Sequence, residues 1–227
     1  ADLYHADGQQ REEVFEYGSY RQSRMYQAGV ACTDCHDPHS GKRRAEGNAL
    51  CTACHNPSPD RARFPGLLAK DYDGPAHHFH SAGQAGSQCV DCHMPSRNYM
   101  VVHGRRDHAI RIPRPDLSAK LGTPNACQDC HAERSAEWAA AAITRHLGPR
   151  SHPPHYGEIL AAARRGEAGA TQSLLALTTD LAQPAIVRAT AVEALAALGS
   201  TSVPPATLRD PDPVVRATAA ATFATRP

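Results

Sequence analysis

Hydrophobic and polar positions follow different rules in successive stretches of the 227-residue chain. Residues 11 to 27 have helical character, with Val14, Phe15, Tyr17 and Tyr20 as apolar anchors before Gly29. From Cys32 to about Gly122 the apolar residues show little period, and Gly, Pro, Asp and Ser interrupt them throughout, which predicts irregular backbone. After residue 131 the style changes: AERSAEWAAAAITRHLG predicts a helix ending at Gly148-Pro149, with an Ala-rich face free to pack. A linker with Pro149, Pro153 and Pro154 follows. Ala/Leu-rich segments then predict helices near Tyr156 to Arg165, Ala170 to Thr178, Ala185 to Leu198 and Pro213 to Ala224. The expected division is therefore a loop-rich domain over residues 1–148 and a helical domain over residues 149–227.

Within the second domain VRATA occurs twice, at Val187 to Ala191 and at Val215 to Ala219, a period of 28 residues, each copy after a turn holding Asp and Pro. The pattern resembles HEAT-like helical repeats. Such repeats stack only on their neighbours, so about three are needed to bury a continuous core. The array reaches Pro227 without a polar cap, so a truncated array, or an end covered by another chain, is expected. Its role is either a stabilising cover or a docking surface.

Composition sharpens the contrast. Hydrophobic residues make up 41% of the chain but aromatics only 5%, so a large conventional core is thinly supplied. With 24 basic and 23 acidic side chains there is no electrostatic footprint for nucleic acid or an anionic membrane. No apolar run approaches the roughly 18–20 residues that span a bilayer. The sequence starts Ala1-Asp2 and lacks a secretion-signal pattern, so a processed or truncated product is expected.

All eight cysteines fall in C-x-x-C pairs, and a histidine follows each pair at once: Cys32, Cys35 and His36; Cys51, Cys54 and His55; Cys89, Cys92 and His93; Cys127, Cys130 and His131. With 14 histidines in the chain, chance would place one after all four pairs on the order of once in 100,000 trials. C-x-x-C-H is the c-type haem attachment sequence: two thiols add to the vinyl groups of one porphyrin, and the adjacent imidazole reaches the iron. Structural zinc needs no histidine after each pair, and a redox disulfide does not explain the repetition. The sequence thus predicts four haem c groups, with His36, His55, His93 and His131 as proximal ligands. The porphyrins substitute for the missing aromatics. Because thioethers are formed on the exported side of a membrane, a periplasmic, cell-surface or extracellular location is expected. Propionates and ferric centres also shift the charge by roughly −4 in the oxidised state, making the assembled protein acidic.

Ten further histidines compete for four distal positions, and paired imidazoles suit electron transfer. Methionine would raise the potential; Met25, Met94 and Met100 are available, and Met94 points away from the iron of its neighbour His93. His39 follows His36 by three residues, but the intervening Pro38 redirects the chain, so His39 is expected to serve a neighbouring haem. The HHFH cluster supplies His77, His78 and His80, of which at least one, but not all three, is a ligand. His108 lies in an extended segment fixed by Pro113 and Pro115. His39, His80 and His108 rank first and His77 next, with His5 or a histidine from another chain for the remaining iron. His146, His152 and His155 read as surface or linker residues.

The segments YGSYRQSRMYQAGVACTDCHDPHSG, HHFHSAGQAGSQCVDCHMP and RRDHAIRIPRPDLSAKLGTPNACQDCHA together resemble multihaem c-type cytochromes of the nitrite reductase and hydroxylamine oxidoreductase lineage, particularly members fused to helical repeats. The resemblance covers most of residues 1 to 200. It implies distal ligands at His39, at His80 with His77, and at His108. Family members usually carry further haem motifs upstream, absent here, which leaves the fourth distal ligand open. Some multihaem cytochromes polymerise into extracellular filaments with a ligand crossing the subunit boundary, and the surplus histidines here permit the same.

The fold class expected is mainly α with extensive irregular loops: a tetrahaem domain ordered by covalent haems, then a short HEAT-like repeat domain. The leading function is electron transfer through four mostly bis-His haems, with other redox proteins or an extracellular acceptor as partners and self-association into filaments as a specific version. The alternative is an enzyme reducing or oxidising a small nitrogen or sulfur compound at one open haem, with Tyr99, His103, Arg105 or Arg106 nearby. No motif replaces its proximal His with Lys, the usual mark of such a haem. A third reading is an adaptor whose repeats dock a partner.

Overall fold

A computed structural model describes residues 3–199 and 203–224. In chain order these form α1 (Glu16–Tyr20), α2 (Arg24–Gln27), α3 (Cys32–Cys35), α4 (Ala49–Thr52), α5 (Pro75–His78), α6 (Cys89–His93), β1 (Ser96–Tyr99), β2 (His103–Arg106), α7 (Pro115–Leu121), α8 (Ala136–Leu147), α9 (Tyr156–Arg164), α10 (Ala170–Thr179), α11 (Ala185–Ala197) and α12 (Pro213–Ala224). Tight 3-10 turns add Ala126–Asp129 and Pro205–Arg209. The protein is mainly helical with little sheet, and among the described residues no helix is long and apolar enough to cross a membrane.

The chain folds as two compact units. One gathers the segment up to Gln22, Lys120–Thr123 and everything from Ser151 onward; the other comprises Ser23–Ala119 and Pro124–Arg150.

In the first unit α10, α11 and α12 pack each on the next, and α9 packs on α10. His155 caps α9 by accepting the Gly157 N–H, while Glu158 reaches back to the His155 N–H, a reciprocal cap that satisfies helix-end donors. The core is aliphatic: Leu174, Ala191, Val192, Leu195 and Ala219 are fully buried. Equivalent positions of the two VRATA copies share this burial, Val187 with Val215 and Ala191 with Ala219. The arginine of the first copy, Arg188, donates to Asp210 in the turn before the second copy, at 2.7 and 3.0 Å, and to the Gln183 carbonyl at 2.7 Å.

The N-terminal segment joins this unit through buried polar groups. Asp7 accepts from the Gln9 backbone, the Gln9 amide and the Thr123 hydroxyl, and its carbonyl accepts the Tyr156 hydroxyl at 2.7 Å. A Cβ on Gly157 would lie 2.9 Å from Asp7 Cα, so only glycine allows this approach. The single helix expected over residues 11–27 is instead two short ones, because buried Ser23 caps α2 through the Tyr26 N–H and restarts the helix. Of the four expected anchors Val14 and Tyr20 are buried, whereas Phe15 and Tyr17 are exposed.

The second unit carries all four C-x-x-C-H motifs, separated by irregular backbone. It also holds a β1–β2 hairpin that the aperiodic sequence did not announce, with Ser96 opposite Arg106 and Tyr99 opposite His103. Helix α8 starts on Ser135, which accepts the Trp138 N–H, and stops at Gly148, whose positive φ ends it.

Arg188 and Asp210 are 5% and 4% exposed. Removing one member of a buried ion pair strands the other, so Asp210→Ala is expected to cost about 3–5 kcal/mol. Replacing both with apolar residues, as in Arg188→Met/Asp210→Leu, is expected to cost less. Denaturant unfolding followed by helical circular dichroism measures both; a double variant no more stable than the single one would contradict this reading.

Candidate haem sites

The first cysteine of each C-x-x-C-H motif lies in a helical turn: α3, α4, α6 and the 3-10 turn at Ala126–Asp129. In three of them the histidine N–H closes the turn on the carbonyl of the first cysteine, at 2.8 Å for His36, 2.9 Å for His55 and 2.8 Å for His131. Residues three apart on a turn share a face, so the two thiols point to one side and the imidazole follows at the end. All eight thiols are free. Burial raises the Cys35, Cys92 and Cys127 thiols above the ordinary cysteine range.

Successive motifs lie side by side. Cys51 lies within electrostatic reach of Cys89, Cys35 of Cys54, and Cys92 of Cys127 and Cys130, so the attachment points run in sequence order. Asn48, just before α4, staples the second motif to the third: its amide donates to Asp73 and to the Ser87 carbonyl at 2.9 Å, and its oxygen accepts the Cys89 N–H at 2.8 Å. Three motifs have Asp before the second cysteine, and each Asp meets an arginine from elsewhere: Asp34 with Arg63, Asp91 with Arg106, Asp129 with Arg97. These pairs are partly exposed, so they orient the turns more than they stabilise them. The second motif has Ala53 there and no such clamp.

The imidazoles show the most specific geometry. Two imidazoles bonded end-on to one metal at about 2 Å each hold their ring centres about 6.3 Å apart. Three proximal histidines have a second histidine ring at that spacing. His36 and His108 are 6.5 Å apart, His93 and His77 6.1 Å, and His131 and His80 6.3 Å. The His77 and His93 rings are 3° from parallel.

Hydrogen bonds fix which nitrogen is free. His36 Nδ1 donates to Gly41 O at 3.0 Å, His108 Nδ1 to Arg106 O at 2.9 Å, His93 Nδ1 to Arg111 O at 2.6 Å and His80 Nδ1 to His78 O at 2.5 Å. With Nδ1 occupied, Nε2 keeps its lone pair for a metal. Burial lowers the proton affinity of His93, His55 and His77, which favours the neutral ligating form. His78 and His80 also lie 6.4 Å apart, but they meet on their Nδ1 sides, where His78 Nδ1 accepts the His80 N–H, so they do not face each other through Nε2.

Local backbone makes this possible. Phe79, between α5 and His80, adopts a left-handed φ of 61° and stacks on His146 at 4.2 Å. That turn directs His77 to the third motif and His80 to the fourth. The segment after β2 serves two motifs as well: Arg111 exchanges two hydrogen bonds with His93, while His108 faces His36. A Cβ on Gly86, at φ +84°, would lie 2.8 Å from His80 Nε2. The single Trp, Trp138 on α8, packs on the proximal His131 at 5.1 Å. None of Gly86, Phe79 and Trp138 carries a motif, although a lone Trp seven residues after His131 was a visible signal.

Among the described residues, no further imidazole pair includes a proximal histidine. Among the described residues, which include all fourteen, no imidazole faces His55; Tyr72 lies edge-on to it at 5.8 Å. Tyr72 is no candidate for the sixth position, because a phenol oxygen across an iron would put the ring centres about 8 Å apart. His39 is exposed, with its backbone N–H on Asp37 and no ring against it, and His5 belongs to the other compact unit. The residues fit haem: paired thiols, facing imidazoles at the spacing of one iron, and a buried Arg97 Nη2 without a protein acceptor beside the fourth motif, the kind of donor a propionate takes.

Comparison with known families agrees with this geometry. A family model described as cytochrome c552 matches residues 73–194, more than half of the chain, and one described as a doubled CXXCH motif matches residues 25–60. No curated protein and no solved structure matches.

Gly86→Ala tests the crowding at His80. Strain at positive φ together with the clash is expected to cost roughly 1–3 kcal/mol. It should also disturb the ligand field of one haem, visible as loss of one low-spin signal by electron paramagnetic resonance (EPR). Unchanged stability and an unchanged spectrum would refute the role given to Gly86.

Proposed function

Since the chain belongs to the cytochrome c552 family, we propose that it carries four haem c groups, one on each C-x-x-C-H motif, and passes electrons between redox partners. The observation that carries this reading is the set of three facing imidazole pairs at 6.1, 6.3 and 6.5 Å. Each bound haem supplies a one-electron ferric/ferrous couple. The polypeptide would hold the haems on its paired cysteines, and its oriented imidazoles would supply iron ligands. His36 with His108, His93 with His77, and His131 with His80 are the proposed axial pairs. His39 and His5 are left for the iron of His55, beside a histidine from another chain.

Attachment of c-type haem outside the cytoplasm supports an exported location, periplasmic, cell-surface or extracellular. The shared burial of the two VRATA copies, and the reach of Arg188 to the next turn, support a HEAT-like reading of residues 149–227 beside a haem domain over residues 1–148. Redox proteins or an extracellular acceptor are the proposed partners. Filament formation follows from the family resemblance alone; electron microscopy showing only dispersed monomers under native conditions would speak against it.

A second reading has a specific observation behind it: the absence of any imidazole opposite His55 among the described residues favours one open haem, the feature a small-molecule reductase or oxidase requires. Carbon monoxide separates the two. If three irons are closed, reduced protein shown to hold four haems binds at most one carbon monoxide per chain, and His77→Ala, His80→Ala and His108→Ala each add one site without loss of covalent haem. Two or more sites in the unaltered protein would contradict the proposed pairs, and none at all would remove the open-haem reading.

A further inference from the structure

Tyr72 stands in the loop between the second motif and α5, and no motif predicts a role for it. Its ring meets two imidazoles edge-on: His55 at 5.8 Å and 81°, and His77 at 5.1 Å and 85°. Those are separations and angles at which aromatic rings attract each other through edge and face. The Lys70 ammonium lies 5.4 Å from the centre of the same ring, where it adds a cation–π contact. His55 belongs to the second motif, whereas His77 is the partner of His93 in the third. One side chain therefore touches proposed axial ligands of two different haems. The surroundings tie the same two motifs together through the bonds of Asn48 to Asp73 and Cys89.

An imidazole bonded to iron retains one freedom, rotation about the iron–nitrogen axis, and its angle to the ring opposite sets the splitting of the iron d orbitals. His93 is fixed by its bond to Arg111 O, but neither His77 nor His55 makes a side-chain hydrogen bond comparable to that one among the described residues. Packing against Tyr72 is what orients them. Resting on the haem assignment above, we propose that Tyr72 is a positioning residue shared by the haems of the second and third motifs, fixing the orientation of His55 and His77 together. The effect comes from the ring and not from the hydroxyl, since both contacts are to the ring. It makes the two haems a coupled pair in the structural sense: a displacement of Tyr72 alters the ligand fields of both.

The test compares Tyr72→Leu and Tyr72→Phe with unaltered protein after mass spectrometry has counted attached haems, so that a failure of the four-haem assignment is read separately as a missing haem mass. Potentiometric titration monitored by EPR then resolves the haems. Tyr72→Leu is expected to change the g values and midpoint potentials of two haems while the signals of the His36/His108 and His80/His131 irons stay in place. Tyr72→Phe should restore the original spectrum. Changes in no haem, in one haem, or in all four alike would overturn the proposal, as would a Phe variant that differs as much as the Leu variant. If Tyr72→Leu does not mature, ring-labelled tyrosine in the unaltered protein gives the answer by NMR: Tyr72 resonances should move as two different haems are reduced, and dependence on a single haem would overturn the proposal.

Discussion

Two imidazoles that share one metal must stand about 6.3 Å apart with their Nε2 atoms turned inward, and the arrangement of the second unit follows from that constraint. Each proximal histidine follows directly on the helical turn that starts its own motif, so its place in the chain is set locally. The distal rings are harder to place, coming from residues far along the chain and from segments without regular structure. The carbonyls of Arg106 and His78 take the Nδ1 protons of His108 and His80 and so set these rings, as those of Gly41 and Arg111 do for the proximal His36 and His93. Phe79 accepts an unfavourable left-handed backbone so that two histidines three residues apart serve different motifs.

The same constraint explains how a chain with so few aromatics orders long irregular stretches. Covalent attachment at ordered turns limits what the intervening loops can do, and flat apolar cofactors would provide the apolar surface that a chain with 5% aromatics does not. The first unit obeys the ordinary rule instead. Its helices bury Leu, Val and Ala against one another, and a deeply buried ion pair joins the first VRATA copy to the turn before the second. The N-terminal segment holds on to these helices through Asp7, Thr123 and Tyr156.

The proximal half of each candidate site was legible because C-x-x-C-H is a local signature that one turn can satisfy. The helices of the C-terminal unit were legible for a similar reason: a sustained apolar period with turn residues between, which places α9 to α12 where expected. Distal geometry was less so. His80, His108 and His77 were candidates from local context, but nothing in the sequence says that His108 faces the first motif or that His77 and His80 part company at Phe79, since those are long-range contacts. Tyr72 and Gly86 were invisible because their roles depend on neighbours in space. The break between α1 and α2 was missed because a single buried serine outweighed a weak helical pattern, and the hairpin because its four-residue strands are too short to show a period.

Crystals of the haem-loaded protein measured at the iron absorption edge test the central claim most directly. The account predicts four anomalous peaks per chain, three of them lying between His36 and His108, between His77 and His93, and between His80 and His131. Fewer than four peaks, or any of those three imidazole pairs without iron between its rings, would contradict it.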